Sequence, residues 1–342
     1  MDKTMDDVLK SIQFFSKQCL QAWEETRKLS LNTSEIDRLA IAGMGASAYG
    51  YYALRALFDD QLNVPVVLIN DYHLPKFCND KTLVVIMSFS GNTQECLAIL
   101  EKALEKGCQT LIISSGGKLQ DLTREKNLNN YLFKNLWNPS NQPRLACGYT
   151  LFSLFGILQN LGIINLPDDE VNKALSFIET QFGELEGNPK IKDLLQKITD
   201  RQLLLLAGEH LSANVHIFRN QLNETSKIFA TYALLPEANH HLLEGLSHPK
   251  TNPQTLHIVS FHSQFYTPKL NKRLVLTEKI SVQNGINFSI IEAKGKNKLE
   301  EILWLILFSS YVSYKLALIN GEDPKKIEWV DLFKKELAAQ NG

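Results

Sequence analysis

Several features are scarce in this sequence, and each scarcity removes a class of protein. Its five cysteines, Cys19, Cys78, Cys96, Cys108 and Cys147, are scattered, odd in number and form no C-x-x-C pair. That argues against a disulfide framework or a cysteine zinc site, and for reduced thiols in a cytosolic protein. Charge of one sign is missing too. With 36 Lys and Arg against 37 Asp and Glu, the net charge is −1, and neither a nucleic-acid tract nor an acidic-membrane binder is indicated. The longest unbroken apolar runs, LLLLAG and ILWLILF, are far shorter than a membrane span. The first residues, MDKTMDDVLK, mix both charge signs and lack the apolar core of a signal peptide. What is left is an ordinary globular composition, 44% hydrophobic over 342 residues, long enough for about two domains.

What is present is alternation. Residues 5–28 repeat apolar positions at helical spacing. Short β-rich runs then follow: RLAIAGMG, VPVVLIN, TLVVIMS, QTLIISSGG and NNYLFKN. Helical stretches such as ASAYGYYALRALF and TQECLAILEKALEKG lie between them. Continuous apolar strands alternating with helices predict a parallel sheet covered on both faces. Residues 145–163 and 169–199 read as helices around the turn-like INLPDD. A second alternation runs through RQLLLLAGEH, QTLHIVSFHS and NFSIIEAKG to a long helix at 297–319. The pattern predicts an α/β fold of two units, with a boundary in the helices between residues 150 and 190.

The polar residues gather where the strands end. GMGAS, Gly43 to Ser47, follows a strand and feeds a helix, the usual setting for an anion at a helix N-terminus. It is not a full dinucleotide fingerprint, because Ala48 stands at the third glycine position, although Asp71 lies where a ribose-binding acid could. MSFSGNT, residues 87–93, offers the hydroxyls of Ser88, Ser90 and Thr93, and Gly91 permits close backbone approach. Helix capping by Ser90 or Asn92 would account for one such group rather than for all of them. No P-loop lysine follows, so the chemistry suits a phosphate that is anchored and not cleaved. SSGGKL, Ser114 to Leu119, repeats that chemistry after the next strand. Three such loops at strand C-termini point to one crevice.

In this order and spacing, GMGAS, SFSGNTQE and SSGGKL resemble a sugar isomerase (SIS) domain, a phosphosugar-binding fold. Pro143 and Arg144, NQLNETSK and LPEANHH further resemble the two-SIS-domain bifunctional phosphoglucose/phosphomannose isomerase family, from about residue 38 to DLFKKEL. The resemblance implies two α-β-α sandwiches around mainly parallel sheets, spanning residues 1–165 and 166–342. It implies a phosphate seat at Gly45, Ser47, Ser88, Ser90 and Thr93. Glu224 matches the base that moves a proton between C1 and C2, and His240 the ring-opening histidine, supplied in related isomerases by the partner subunit of a homodimer. Arg144 matches the cation beside the enediolate, and Lys334 a C-terminal lysine of ring opening, with Lys335 as a neighbouring competitor. Glu224 also reads as half of a solvated pair with Lys227.

The implied activity is a cofactor-free, cytosolic aldose–ketose isomerisation of fructose 6-phosphate to glucose 6-phosphate, extending to mannose 6-phosphate, through a cis-enediolate. Such chemistry requires an acid–base pair and nearby positive charge, and no metal. HHLLEGLSH, with His240, His241 and His248, has no regular metal-ligand spacing. A non-catalytic phosphosugar sensor and an amino-sugar phosphate isomerase are the alternatives. The sequence departs from the family pattern at Ala46, at the aromatic stretch Tyr49 to Tyr52 and at His241. The phosphosugar is the one partner expected besides a second copy of the chain; nucleic acid and membrane are not.

Overall fold

The computed structural model describes residues 3–340. Helices α1 (Lys3–Gln13) and α2 (Phe15–Thr26) precede a first α/β unit. That unit runs β1 (Arg38–Ala42), α3 (Tyr49–Phe58), β2 (Val66–Ile69), β3 (Thr82–Ser88), α4 (Gln94–Glu105), β4 (Gln109–Ser114), α5 (Gly117–Lys126) and β5 (Asn129–Leu132). Its strands pair in the order β2-β1-β3-β4-β5, every pair parallel. All seven residues of β3 are buried, the expected state of a central strand with helices on both faces.

Helices α6 (Cys147–Asn160), α7 (Asp168–Leu185) and α8 (Pro189–Ile198) follow. The stretch 169–199, read above as one helix, is two. Gly187 takes φ +72°, and Asn188 restarts the helix by accepting from the Lys190 amide at 3.0 Å. The second unit comprises β6 (Gln202–Gly208), α9 (Ser212–Gln221), β7 (Ala230–Leu235), the single-turn helices α10 (Leu242–Gly245) and α11 (Asn252–Thr255), β8 (Leu256–His262), α12 (Pro268–Gln283) and β9 (Asn287–Glu292). Its parallel sheet has the order β7-β6-β8-β9. Strand β7 escaped the sequence pattern because it is a half-exposed edge strand and carries no continuous apolar run.

The long helix α13 (Lys298–Ile319) and a terminal helix α14 (Glu328–Gln340) complete the chain. By length and composition α13 could cross a bilayer, yet 83% of its apolar window is buried by the rest of the protein. It is a core helix. One apolar cluster joins Val8 of α1, Phe152 and Phe155 of α6, Phe218 of α9 and Leu303 to Leu307 of α13, so the two units share a central helical layer. Leu203, Leu205 and Val259 of the second sheet face that layer, whereas Leu204, Leu206 and Ile258 face a smaller cluster with Leu246 and Ile286. All five cysteines are free and buried.

Candidate active site

The three polar loops of the first sheet interlock. Ser47, on the 3-10 turn Gly45–Ala48, is buried, and its Oγ accepts from the Phe89 amide at 3.1 Å. Ser115 Oγ donates to the Phe89 carbonyl at 2.6 Å, and the Lys118 amide donates to Asn92 Oδ1 at 3.0 Å. Gly91 takes φ +67°, and a Cβ there would run into the Gly116 carbonyl oxygen. The loop after β3 therefore closes on the loop after β4 only with glycine at this position. Ser88 Oγ and Thr93 Oγ1 bond each other at 2.8 Å, and Ser88 Oγ also accepts from the Gly91 amide at 3.1 Å. Thr93 is the N-cap of α4, with no side-chain cap bond, and neither Ser90 nor Asn92 caps that helix. Ser90 Oγ instead accepts from the Asn92 amide at 3.3 Å. The first-turn amides of α4 thus keep the partial positive charge that suits an anion.

Glu224 lies on a π-helical turn, Leu222–Ser226, that ends α9. Such turns concentrate at functional sites. The polarity of NQLNETSK is structural in origin. Gln221 Nε2 donates to Ser310 Oγ at 2.8 Å, Asn223 Nδ2 to the Ala230 carbonyl at 2.9 Å, and Ser226 Oγ to the Ser313 carbonyl at 2.9 Å. Lys227 does not pair with the Glu224 carboxylate. Its ammonium donates to the carbonyls of Glu224 and Thr225, both at 3.1 Å, and of Asp323 at 2.6 Å. The solvated-pair reading therefore gives way to a carboxylate held free of its sequence neighbour.

Arg144 is fully buried. Its Nε donates to Thr225 Oγ1 at 2.9 Å, and Nη1 donates to Gln142 Oε1 at 2.8 Å and to Glu224 Oε2 at 3.5 Å. Nη2 donates to the carbonyls of Pro324 at 2.7 Å and Lys325 at 3.1 Å. The guanidinium fork binds the carboxylate, the turn that carries it and the segment before α14 in one grip. Burial raises the Glu224 pKa above its ordinary value, opposed in decreasing order by Arg144, Lys334, Lys227 and Arg219. A desolvated carboxylate beside a fixed cation is a stronger base than an exposed one.

Glu224 opens on a cavity of about 580 Å³. Gly43 to Gly45, Ala48, Tyr52, His216, Arg219 and Asn220 also line it. The turn at Gly45 and the carboxylate, far apart in sequence, thus share one space. Of the expected phosphate-seat residues only Gly45 lines this cavity; Ser47, Ser88, Ser90 and Thr93 do not, and Ser47 joins its turn to the loop after β3 through the Phe89 amide. Lys334 is exposed on α14, near enough to act on the Glu224 charge, an effect in which Lys335 does not figure. His240 is exposed on the 3-10 turn Glu237–His240 and is not part of the cavity wall. A larger groove between α4 and α5, lined by four leucines and six charged residues with Lys118 of SSGGKL among them, does not contain Glu224. Sequence reading passed over Gln142, Arg219 and His216. For His216 a signal existed: His216, Asn220 and Asn223 follow helical spacing onto the face that bears Glu224.

Residues 188–337 match the model of the bacterial phospho-glucose isomerase C-terminal SIS domain. The chain is 29% identical to the bifunctional phosphoglucose/phosphomannose isomerase of Caldicellulosiruptor bescii, across 97% of this chain and 99% of that protein. It is likewise 29% identical to the protein of that name from Thermoplasma volcanium, across 95% and 99%. The similarity to bifunctional phosphoglucose/phosphomannose isomerases thus runs nearly the full length of the chain. A more distant relative is the D-glucosamine-6-phosphate 4-epimerase of Sulfolobus acidocaldarius, 27% identical over 82% of this chain and 83% of that one. Among solved structures, glucosamine-6-phosphate deaminase from Thermotoga maritima superposes with a TM-score of 0.68 at 14% identity, covering 96% and 98% of the two chains. That likeness shows the same two-unit α/β fold.

Proposed function

We propose that the protein is an aldose–ketose isomerase that interconverts fructose 6-phosphate with glucose 6-phosphate and mannose 6-phosphate through a cis-enediolate. The observation that carries this reading is the desolvated Glu224 carboxylate, held by buried Arg144 in the cavity that opens at the Gly45 turn. Phosphate is held by Gly45, Ser47, Ser88, Ser90 and Thr93 together with the first-turn amides of α4. Glu224 takes the proton from one carbon and returns it to the next. Arg144, charged throughout the pH range of catalysis, stabilises the negative charge that develops on the enediolate oxygens. Lys334 assists ring opening with His240, and His240 reaches the site from the partner subunit of a homodimer. Residues 1–165 form the domain with the phosphate loops, and 166–342 the domain with the acid–base residues. The setting is cytosolic and the reaction uses no cofactor.

The decisive assay is purified protein with fructose 6-phosphate, following aldose phosphate formation. Turnover by the wild type that is lost in Glu224→Gln, with phosphosugar binding retained, supports the reading. Binding without turnover in the wild type would leave a sensor. Turnover of an amino-sugar phosphate in preference to fructose 6-phosphate would replace the substrate.

A further inference from the structure

The cavity that Glu224 lines also holds a histidine with a defined tautomer. His216, on α9, is buried, and its ring stacks on Tyr52 with centroids 3.8 Å apart and planes 27° apart. Tyr49 and Tyr232 meet the same ring edge-on, at 6.2 and 5.5 Å. The imidazole therefore sits in an aromatic box, and Tyr49 and Tyr52 come from the stretch where the sequence departs from its family. Arg219 Nη2 lies 3.2 Å from His216 Nδ1, and the Tyr232 hydroxyl lies 3.3 Å from it. A guanidinium can only donate, so Nδ1 is the acceptor and the single proton of a neutral ring resides on Nε2. Burial, seconded by Arg219, pulls the pKa of His216 down to about 3, which keeps the ring neutral. Nδ1 being held by Arg219 and Tyr232, Nε2 is the nitrogen left to the cavity that His216 lines with Glu224, Asn220 and Tyr52.

We propose that His216 donates its Nε2–H to an oxygen of the substrate's carbon chain, and that Arg219, Tyr232 and Tyr52 position the ring for this. The inference rests on the phosphosugar reading above and assigns the sugar end of that site. The phosphate loops hold the other end. A neutral donor fixed in one tautomer can bond a hydroxyl or carbonyl oxygen without taking part in proton transfer, which leaves that task to Glu224. Tyr52 thereby becomes part of the specificity wall.

His216→Phe keeps a ring against Tyr52 and removes the donor, whereas His216→Gln places an amide N–H close to the Nε2 position. The expected result is a fall of about tenfold in kcat/KM for fructose 6-phosphate in His216→Phe, with most of it regained in His216→Gln. Competitive inhibition by inorganic phosphate should stay within about twofold of wild type in both. Nitrogen NMR of labelled histidine in the wild type should show His216 as the Nε2–H tautomer. An Nδ1–H or imidazolium signal overturns the proposal even if the variants misfold. So does a folded His216→Phe enzyme with unchanged kcat/KM, or a parallel loss of phosphate inhibition. If the wild type turns over no phosphosugar, the isomerase reading fails separately. Calorimetric binding of fructose 6-phosphate then reads the same tenfold difference between wild type and His216→Phe, and its absence counts against His216.

Discussion

At the residue scale, the proton-transfer role proposed for Glu224 requires an ionised carboxylate, and burial raises its pKa. Activity should therefore fall as pH drops through a value above the ordinary carboxylate range, visible as the acid limb of kcat/KM against pH. Glu224→Gln should lower kcat by at least about 100-fold, measured under saturating substrate, with phosphosugar binding unchanged by calorimetry. Gly91 makes a different kind of prediction. Gly91→Ala strains a backbone at φ +67° and collides with the Gly116 carbonyl, so the two loops must part. Thermal unfolding should report a loss of about 1–3 kcal/mol, and phosphosugar binding should weaken with it. The need for glycine there was legible from SFSGNT as a ligand turn, but its partner was not. That partner sits in SSGGKL, on another strand, and only the sheet order brings β3 beside β4.

The informative elements are α14 and the π-turn. Sequence alone left Lys334 and Lys335 as equals on a terminal helix. Their positions on α14 separate them, since the charge of Lys334 acts on Glu224 and that of Lys335 does not figure there. That positive charge lowers the Glu224 pKa, so Lys334→Met should move the acid limb of kcat/KM to higher pH, and Lys335→Met should leave it in place. The elements of the first sheet were readable because buried strands are continuous apolar runs, whereas β7 at an exposed edge was not. Arg144 was legible as a site cation but not as the clasp on Pro324 and Lys325. That contact spans most of the chain and involves main-chain carbonyls, which leave no mark in sequence. Arg144→Met should cost at least about 3 kcal/mol by denaturant unfolding, because it strips a buried network of its cation. It should also speed proteolytic removal of α14.

For the whole molecule, the two halves are built alike but differ at their strand ends. At the end of β6, the Glu209 carboxylate accepts from Thr267 Oγ1 at 2.6 Å and from the Thr267 amide at 3.2 Å. An internal anion already occupies the start of α12, whereas α4 has no side-chain cap. The placement of His240 outside the cavity gives a prediction on the same scale. Mixed dimers of Glu224→Gln and His240→Ala chains should recover about a quarter to a half of wild-type activity per site if His240 acts across the subunits. No recovery under verified subunit exchange would refute the trans arrangement. The sequence by itself determined the α/β class, the parallel strands and the polar turns at their C-terminal ends, because apolar runs and turn residues act over a few positions. It also marked Glu224 and Arg144 through their motifs. Tertiary structure alone decided that Gly45, His216 and Glu224 line one cavity, that buried Arg144 holds the Glu224 carboxylate, and that Lys334 rather than Lys335 acts on its charge. Those relations depend on two sheets packing about α6, α9 and α13, and burial in that shared layer, not local pattern, sets the charge and basicity of the groups it encloses.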